Sequence, residues 1–405
     1  SSSACVATMN ATRKVPVTIL TGFLGSGKTT LLNHILEDPG HQLRFAIIEN
    51  EFGEVGVDEK ILSEKTNEEV IEVMNGCICC TVRGDLVIAL KNLYKKIAQF
   101  DAVIIETTGL ADPAPVAQTF FIDDGIKDMY SLDGIITVVD AKYIITRLDD
   151  EKPEGVENEA VEQVAFADRI LLNKIDLVDE EKLPQIEDRL KTINPSAFIY
   201  RCDHSKVDPQ NLIGISAFSL DRVLEMDAEF LNTDGEHEHD PTVVSTSCRF
   251  PGYLSLGKLA PWIDEIVTTM GANLYRYKGV LAVAGKQEKY VFQGVGMLYT
   301  GTFKQEWKED ELRECRFVFI GKHLNKEHLL EGFRSCQVDK LRFQVGEKVM
   351  AKIGEDEDEN GGWARGIILQ HWDDDMPYSI DILDEGCTVT APEDMDEWVR
   401  QGWDW

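Results

Sequence analysis

VPVTILTGFLGSGKTTLLNHILED, residues 15–38, decides the fold of the larger part of this chain. VPVTIL is apolar and β-branched, as a strand buried on both faces of a parallel sheet must be, and LLNHILED carries apolar residues at helical spacing. Between them GFLGSGKTT (22–30) has the strand, glycine-rich loop and helix order of a phosphate-binding loop. Gly22, Gly25 and Gly27 let successive backbone amides turn inward, with Ser26 and Thr30 in the same cradle, and the helix adds its N-terminal partial charge. In this reading Lys28 is the catalytic cation reaching the β- and γ-phosphates, and Thr29 offers its hydroxyl to Mg²⁺.

Outward from the loop, FAIIEN (45–50), AVIIE (102–106), IITVV (135–139), RILLN (169–173) and AFIY (197–200) alternate with helical patterns. That rhythm predicts an α/β fold, a P-loop NTPase with a doubly wound parallel sheet, over residues 15–215. NKID (173–176) follows one of the predicted strands and supplies Asn173, Lys174 and Asp176. The Asp176 carboxylate accepts from the two donors of guanine, N1 and the exocyclic amine, whereas adenine would leave it unpaired, so GTP or GDP is expected rather than ATP. Glu106 ends the AVIIE strand at a position suited to holding Mg²⁺ through water and to a catalytic role. Gly109, three residues on in ETTGLADP, is placed to feel the γ-phosphate. In ENEFGEVGVD (49–58), Glu54 and Asp58 are candidates for a first switch near Mg²⁺. No glutamine or arginine stands out as positioning water, which predicts slow intrinsic hydrolysis.

NGCICC brings three thiols together within four residues, Cys77, Cys79 and Cys80. Soft thiolates at this spacing suit Zn²⁺, with Co²⁺ or Ni²⁺ as alternatives, and a fourth position remains for water, Glu49, Glu54 or an acceptor's side chain. Buried inert cysteines and a redox pair are the competing readings of the same residues. His237 and His239 lie in the acidic stretch TDGEHEHDP, where surface histidines are often idle.

Beyond residue 215 the pattern changes. Residues 216–241 read as a linker, and 242–340 as an α+β domain with strands at VVSTSCRF, GVLAVAG, YVFQGV and FVFIG and helices near 257–270 and 325–335. Residues 341–405 hold five of the seven tryptophans and 17 acidic against 5 basic residues. The runs GEKVMAKI, WARGIILQHW and YSIDILD predict a small all-β barrel of SH3-like or Tudor-like type. The formal charge of the chain is −31, from 41 basic and 72 acidic residues, which argues against nucleic acid and anionic membrane surfaces as partners. Nine cysteines without a disulfide-like framework fit the reducing cytoplasm, or alternatively an organelle matrix or plastid stroma. SSSACVATMNATRK, acid-poor and without an initial Met, reads as an arbitrary chain boundary or the remnant of a transit sequence.

Taken together, GFLGSGKTT, ENEFGEVGVD, NGCICC, ETTGLADP and NKID resemble the CobW-like GTPases, relatives of the maturation GTPases for urease and nickel hydrogenase. RYKGVLAV, FQGVGMLY and FVFIGKHL extend the resemblance through the CobW C-terminal domain, so that it covers about residues 15–340. The resemblance implies a GTP-dependent metallochaperone, most often for zinc, that serves a client metalloenzyme apoprotein. It carries functional positions onto Lys28, Thr29, Glu106, Asp176 and the three cysteines. Zinc-transferring members of eukaryotes dock on a methionine aminopeptidase through a short cysteine- and proline-containing N-terminal motif, which ACVATMNATR around Cys5 does not reproduce. The tail from 341 lies outside the family architecture and is expected to bind a protein partner or to stabilise the rest. A signalling GTPase with redox-sensing cysteines and a zinc store with vestigial hydrolysis remain the alternatives.

Overall fold

The computed structural model describes residues 14–38, 40, 43–49, 69–72, 82–109, 111–153, 158–219, 223, 243–271, 273–308, 310–338, 341–354, 362–373, 376–383, 385–392 and 394–402. The chain builds three sheets in sequence. The first has seven strands in the order β3-β2-β4-β1-β5-β6-β7. These are β1 (Val15–Thr21), β2 (Phe45–Glu49), β3 (Glu69–Glu72), β4 (Ala102–Glu106), β5 (Tyr130–Asp140), β6 (Arg169–Asn173) and β7 (Phe198–Arg201). All neighbours are parallel, because each connection is a crossover rather than a hairpin. Six of the strands coincide with the apolar runs of the sequence. The short, acid-flanked EVIE of β3 has too few apolar residues to announce itself.

Alternate residues of the strands point to opposite faces, and both faces are covered. Leu20, Ile47, Ile104 and Val138 pack under Leu31, Leu32 and Ile35 of α1 (Lys28–Glu37). Ile19, Ile48, Ile105 and Val139 pack on the other side with Leu86 and Leu90 of α2 (Val82–Tyr94) and Val116 and Phe120 of α3 (Ala114–Ile122). The same layer holds the short α4 (Asp124–Met129) and α5 (Ile144–Leu148), then α6 (Glu159–Phe166) and α7 (Leu183–Ile193). The register matters for the site. Leu20 lies beside Glu106, Glu49 beside Glu106, Thr21 beside Thr137 and Asp140 beside Asn173, so the carboxyl ends of five strands share one edge.

The second sheet is antiparallel, in the order β11-β10-β9-β12-β8, from β8 (Val243–Pro251), β9 (Leu274–Ala282), β10 (Glu288–Val295), β11 (Leu298–Glu306) and β12 (Glu314–Lys322). One face carries α8 (Leu256–Met270) and α9 (Lys326–Ser335) over an aromatic core of Trp262, Tyr277, Phe292, Phe317, Phe319 and Phe333. The opposite face packs in part against the first unit. Tyr275, Val295, Val318 and Ile320 join the core of the first unit. Residues 216–219, the start of the stretch read as linker, lie in this junction: the Ser216 and Ala217 amides donate to Asp133, and the Phe218 ring sits 5.8 Å from that of Phe121.

The acidic tail folds as five antiparallel strands in the order β16-β15-β14-β13-β17: β13 (Lys348–Lys352), β14 (Trp363–Asp373), β15 (Met376–Ile382), β16 (Cys387–Ala391) and β17 (Val399–Gln401). It encloses its own core of Phe343, Val349, Ile368, Tyr378, Ile380, Ile382 and Val399. It also touches the second unit, since a Cβ placed on Gly285 would fall 2.4 Å from the Trp372 carbonyl. Among the described residues no helix is long and apolar enough to cross a membrane.

Candidate nucleotide site

The loop after β1 turns as its glycines require. Gly22, Gly25 and Gly27 all take positive φ, at 139°, 77° and 114°, a region closed to most side chains. Gly27 caps α1, so Lys28 opens the helix and Thr29 and Thr30 lie in its first turn. Lys28 is only 7% exposed, and its ammonium donates to the carbonyls of Gly22 at 2.8 Å and Phe23 at 3.4 Å across the mouth of the loop. Ser26 Oγ is buried and has no hydrogen-bond partner among the described residues. A buried hydroxyl without a partner is costly, and one inside a ring of inward amides fits a phosphate oxygen.

Two residues of NKID bind back to the phosphate loop. Asn173, buried at the end of β6, donates to Ser26 O at 2.9 Å and to Ser205 Oγ at 2.9 Å, and accepts from the Ser205 amide at 2.9 Å. Lys174 donates to Gly25 O and to Asp140 Oδ2, both at 2.7 Å. NKID is thereby lashed to the phosphate loop. Asp176 follows in the short helical turn Ile175–Leu177 with its side chain exposed.

On the other flank, Glu106 ends β4 half-buried, and the Thr107 hydroxyl donates to Thr21 Oγ1 at 2.9 Å. Gly109 comes so close to the loop that a Cβ there would lie 2.5 Å from the Leu24 amide nitrogen. The hydroxyl of Thr29 and the carboxylate of Glu106 stand at the ends of neighbouring structural paths, β1 into α1 and β4. A hydroxyl and a carboxylate are the hard oxygen donors that Mg²⁺ takes.

The structure brings together Gly22, Gly25, Ser26, Gly27, Lys28, Gly109, Asn173 and Lys174. Cys77, Cys79, Cys80, Glu54 and Asp58 lie outside the described residues, and of Glu49 only the backbone, at the end of β2 beside Glu106, is described. Three residues escaped the sequence reading. Ser205 accepts from Asn173 and donates to Gly27 O at 3.0 Å, and it sits with His204 in the left-handed region at φ 55° and 48°. Arg147 of α5 lays its guanidinium 4.4 Å from the Phe23 ring centre, beside a small open cleft that Ser26, Asp140 and Gln163 also line. Gln163 of α6 donates to Gly109 O at 3.2 Å and Ala111 O at 3.3 Å. A glutamine inside EAVEQVAF, next to the apolar run VAF, was the available signal for the last.

Comparison with known proteins agrees with this architecture. Residues 16–201 match the family model "CobW/HypB/UreG, nucleotide-binding domain", and residues 243–337 match "Cobalamin synthesis protein cobW C-terminal domain". The zinc chaperone YjiA of Escherichia coli is 35% identical over 323 residues, covering 79% of this chain and 98% of that protein. The zinc chaperone CobW of Pseudomonas aeruginosa is 32% identical over 360 residues, 81% of this chain and 93% of that one. The crystal structure of Zn(II)-bound YjiA GTPase from E. coli superimposes with a TM-score of 0.64 at 29% identity, over 80% of this chain and all of the other. With both family models matched in succession and relatives covered nearly end to end, the chain belongs to the CobW/HypB/UreG family of P-loop GTPases and carries the CobW C-terminal domain.

Proposed function

We propose that this protein is a GTP-hydrolysing zinc chaperone that loads zinc at Cys77, Cys79 and Cys80 and releases it to a client apoprotein in the cytoplasm under control of the bound nucleotide. The observation that carries the nucleotide half is the double tether of NKID to the phosphate loop, Asn173 to Ser26 and Lys174 to Gly25. It fixes the distance between the surface for guanine and the cradle for phosphate. For zinc, the support is the naming of relatives that span nearly their whole length on this chain.

In this reading the inward amides of residues 22–27 and the α1 N-terminus take the phosphates, and Lys28 leaves its loop carbonyls to neutralise charge between the β- and γ-phosphates. Asp176 selects guanine. Thr29 and Glu106 would hold Mg²⁺, which supplies charge neutralisation across the phosphates when bound. Gly109, against the loop at Leu24, senses whether a γ-phosphate is present. Zinc is cargo. Cys77, Cys79 and Cys80 lie in the chain between the two switch segments, so ordering those segments changes thiolate spacing, and zinc and nucleotide affinities must change reciprocally.

The test is a competitive zinc titration against a chelator with GDP and with a non-hydrolysable GTP analogue. Tighter zinc with the GTP analogue, by roughly 5–150-fold as is usual for linked sites, is expected. Equal affinities in the two states, or zinc binding that survives loss of all three cysteines, would overturn the delivery mechanism.

A further inference from the structure

Gln163 is a buried polar side chain of the nucleotide unit that the proposed mechanism leaves unused. It is 2% exposed, on a helix whose residues from Ala160 to Phe166 are all buried. Burying a primary amide without partners costs several kcal/mol, so its hydrogen bonds say what it is there for. Its Nε2 reaches Gly109 O at 3.2 Å and Ala111 O at 3.3 Å, holding both sides of the turn with one group.

The helix that carries Gln163 is itself fixed. Asn158 caps its start by accepting from the Ala160 and Val161 amides. Thr137 of β5 donates to the Gln163 carbonyl at 2.7 Å. At its far end Asn194 donates to the carbonyls of Val164, Ala165 and Ala167 at 2.9, 3.1 and 2.9 Å. On the side facing the second unit, Tyr275 packs on the Phe166 ring at 5.2 Å and donates its hydroxyl to buried Glu162 at 3.3 Å, while Arg276 donates to Phe166 O at 3.0 Å. The amide thus projects from a clamped support onto the carbonyls of Gly109 and Ala111.

We infer that Gln163 is a positioning residue for GTP hydrolysis, which sets the Gly109–Ala111 turn against the phosphate loop so that the turn discriminates GTP from GDP. The inference rests on the reading of Gly109 as the γ-phosphate sensor. Gly109 abuts Leu24 with no room for a Cβ, so a small displacement of the turn moves it off the loop. Two hydrogen bonds from a rigid helix prevent that displacement, and the phosphate cradle and Asp176 do not depend on them. Loss of the amide therefore affects the γ-phosphate step and spares GDP.

The experiment replaces Gln163→Met, which keeps length and volume and removes the donors, with Gln163→Asn as a second variant that keeps an amide too short to reach both carbonyls. In the full chain, GDP affinity, affinity for a non-hydrolysable GTP analogue, kcat and KM are measured. The inference expects GDP affinity within about twofold of the unmodified protein, kcat down about tenfold or more, and the preference for the GTP analogue over GDP reduced by a similar factor. A purely structural role lowers GDP and GTP affinities together. That outcome, or a kcat within twofold of the unmodified value in both variants, overturns the inference. Failure of the unmodified protein to bind either guanine nucleotide overturns instead the nucleotide reading beneath it.

Discussion

At the scale of single residues, a buried cluster of charges lies away from the phosphate loop, in the junction of the first two units. Asp168, 3% exposed, pairs with Arg276 and stands 3.6 Å from Lys278, and it accepts from the Ile135 amide at 2.9 Å. Burial alone would raise its carboxyl, yet Arg276 and Lys278 hold it below the usual carboxylate range. Lys278 fares oppositely: burial, and then Arg276, push it down to about 7 in spite of Asp168. Asp168→Ala should cost about 3–5 kcal/mol in denaturant unfolding, because it leaves Arg276 buried without its partner, and joint replacement of both by apolar residues should recover most of the loss. The pH dependence has a definite sign. Below about pH 7 Lys278 is charged in both folded and unfolded chains, whereas above it the folded chain holds fewer protons, so stability rises with pH. Relative to Lys278→Met, the unmodified protein should gain roughly 1 kcal/mol per pH unit between about pH 7.5 and 9.5; a flat difference would mean that Lys278 titrates normally. In the nucleotide site, Asp176→Asn should weaken GDP and GTP at least tenfold by calorimetry, since the guanine donors lose a charged acceptor.

The elements of the second sheet show how glycine and aromatic residues share a strand. Gly279 of β9 faces Phe292 of β10, and Gly294 of β10 faces Tyr277 of β9, so two rings lie over two bare backbones in crossed pairs. A Cβ on Gly279 would meet the Phe292 ring at 2.1 Å, and one on Gly294 would meet the Tyr277 ring at 2.0 Å. Neither ring has space to retreat, because Tyr277 stacks on Phe319 at 5.5 Å and Phe292 lies within 6.4 Å of both. Gly279→Ala and Gly294→Ala should each destabilise the chain by about 1–3 kcal/mol, read as a lowered midpoint of chemical unfolding. β11, by contrast, is a polar edge strand with a half-exposed pattern, and its LYTGTFKQE carries no run that marks it in the sequence. The tail repeats the lesson: β13, β14 and β15 were legible as alternating runs, while CTVTA of β16 and the three residues of β17 are strands because the sheet has room for them.

For the whole molecule, the arrangement is asymmetric. The second unit shares a core with the first, through Tyr275, Val295, Val318 and Ile320, whereas the tail has a core of its own. Truncation after residue 340 should therefore leave guanine nucleotide binding and zinc binding within about twofold, whereas deletion from residue 242 should expose the apolar face of α6 and give an aggregating protein. Size-exclusion chromatography of the two truncations, with nucleotide titration of the first, distinguishes them. Gly285→Val adds bulk where Trp372 covers the hairpin between β9 and β10, and should loosen the tail without unfolding it, seen as faster proteolysis of the β14 region.

The sequence by itself determined the parallel sheet and the phosphate loop, and put NKID at the end of a buried strand. Each is local chemistry: glycines where φ must be positive, a lysine at a helix start, a carboxylate after a buried strand. It also announced the second α+β unit and the small β unit, through runs long enough to carry a period. Only the tertiary structure decided what Asn173, Lys174, Ser205 and Gln163 hold, because their partners lie 147, 149, 178 and 54 residues away along the chain. The same holds for Asp168 and Arg276, 108 residues apart, which read as an ordinary acid and base until the fold buries them against each other. Spacing along a chain reports hydrogen bonds within a turn or a helix; bonds that close across a sheet depend on which strands become neighbours, and that is settled by packing both faces at once.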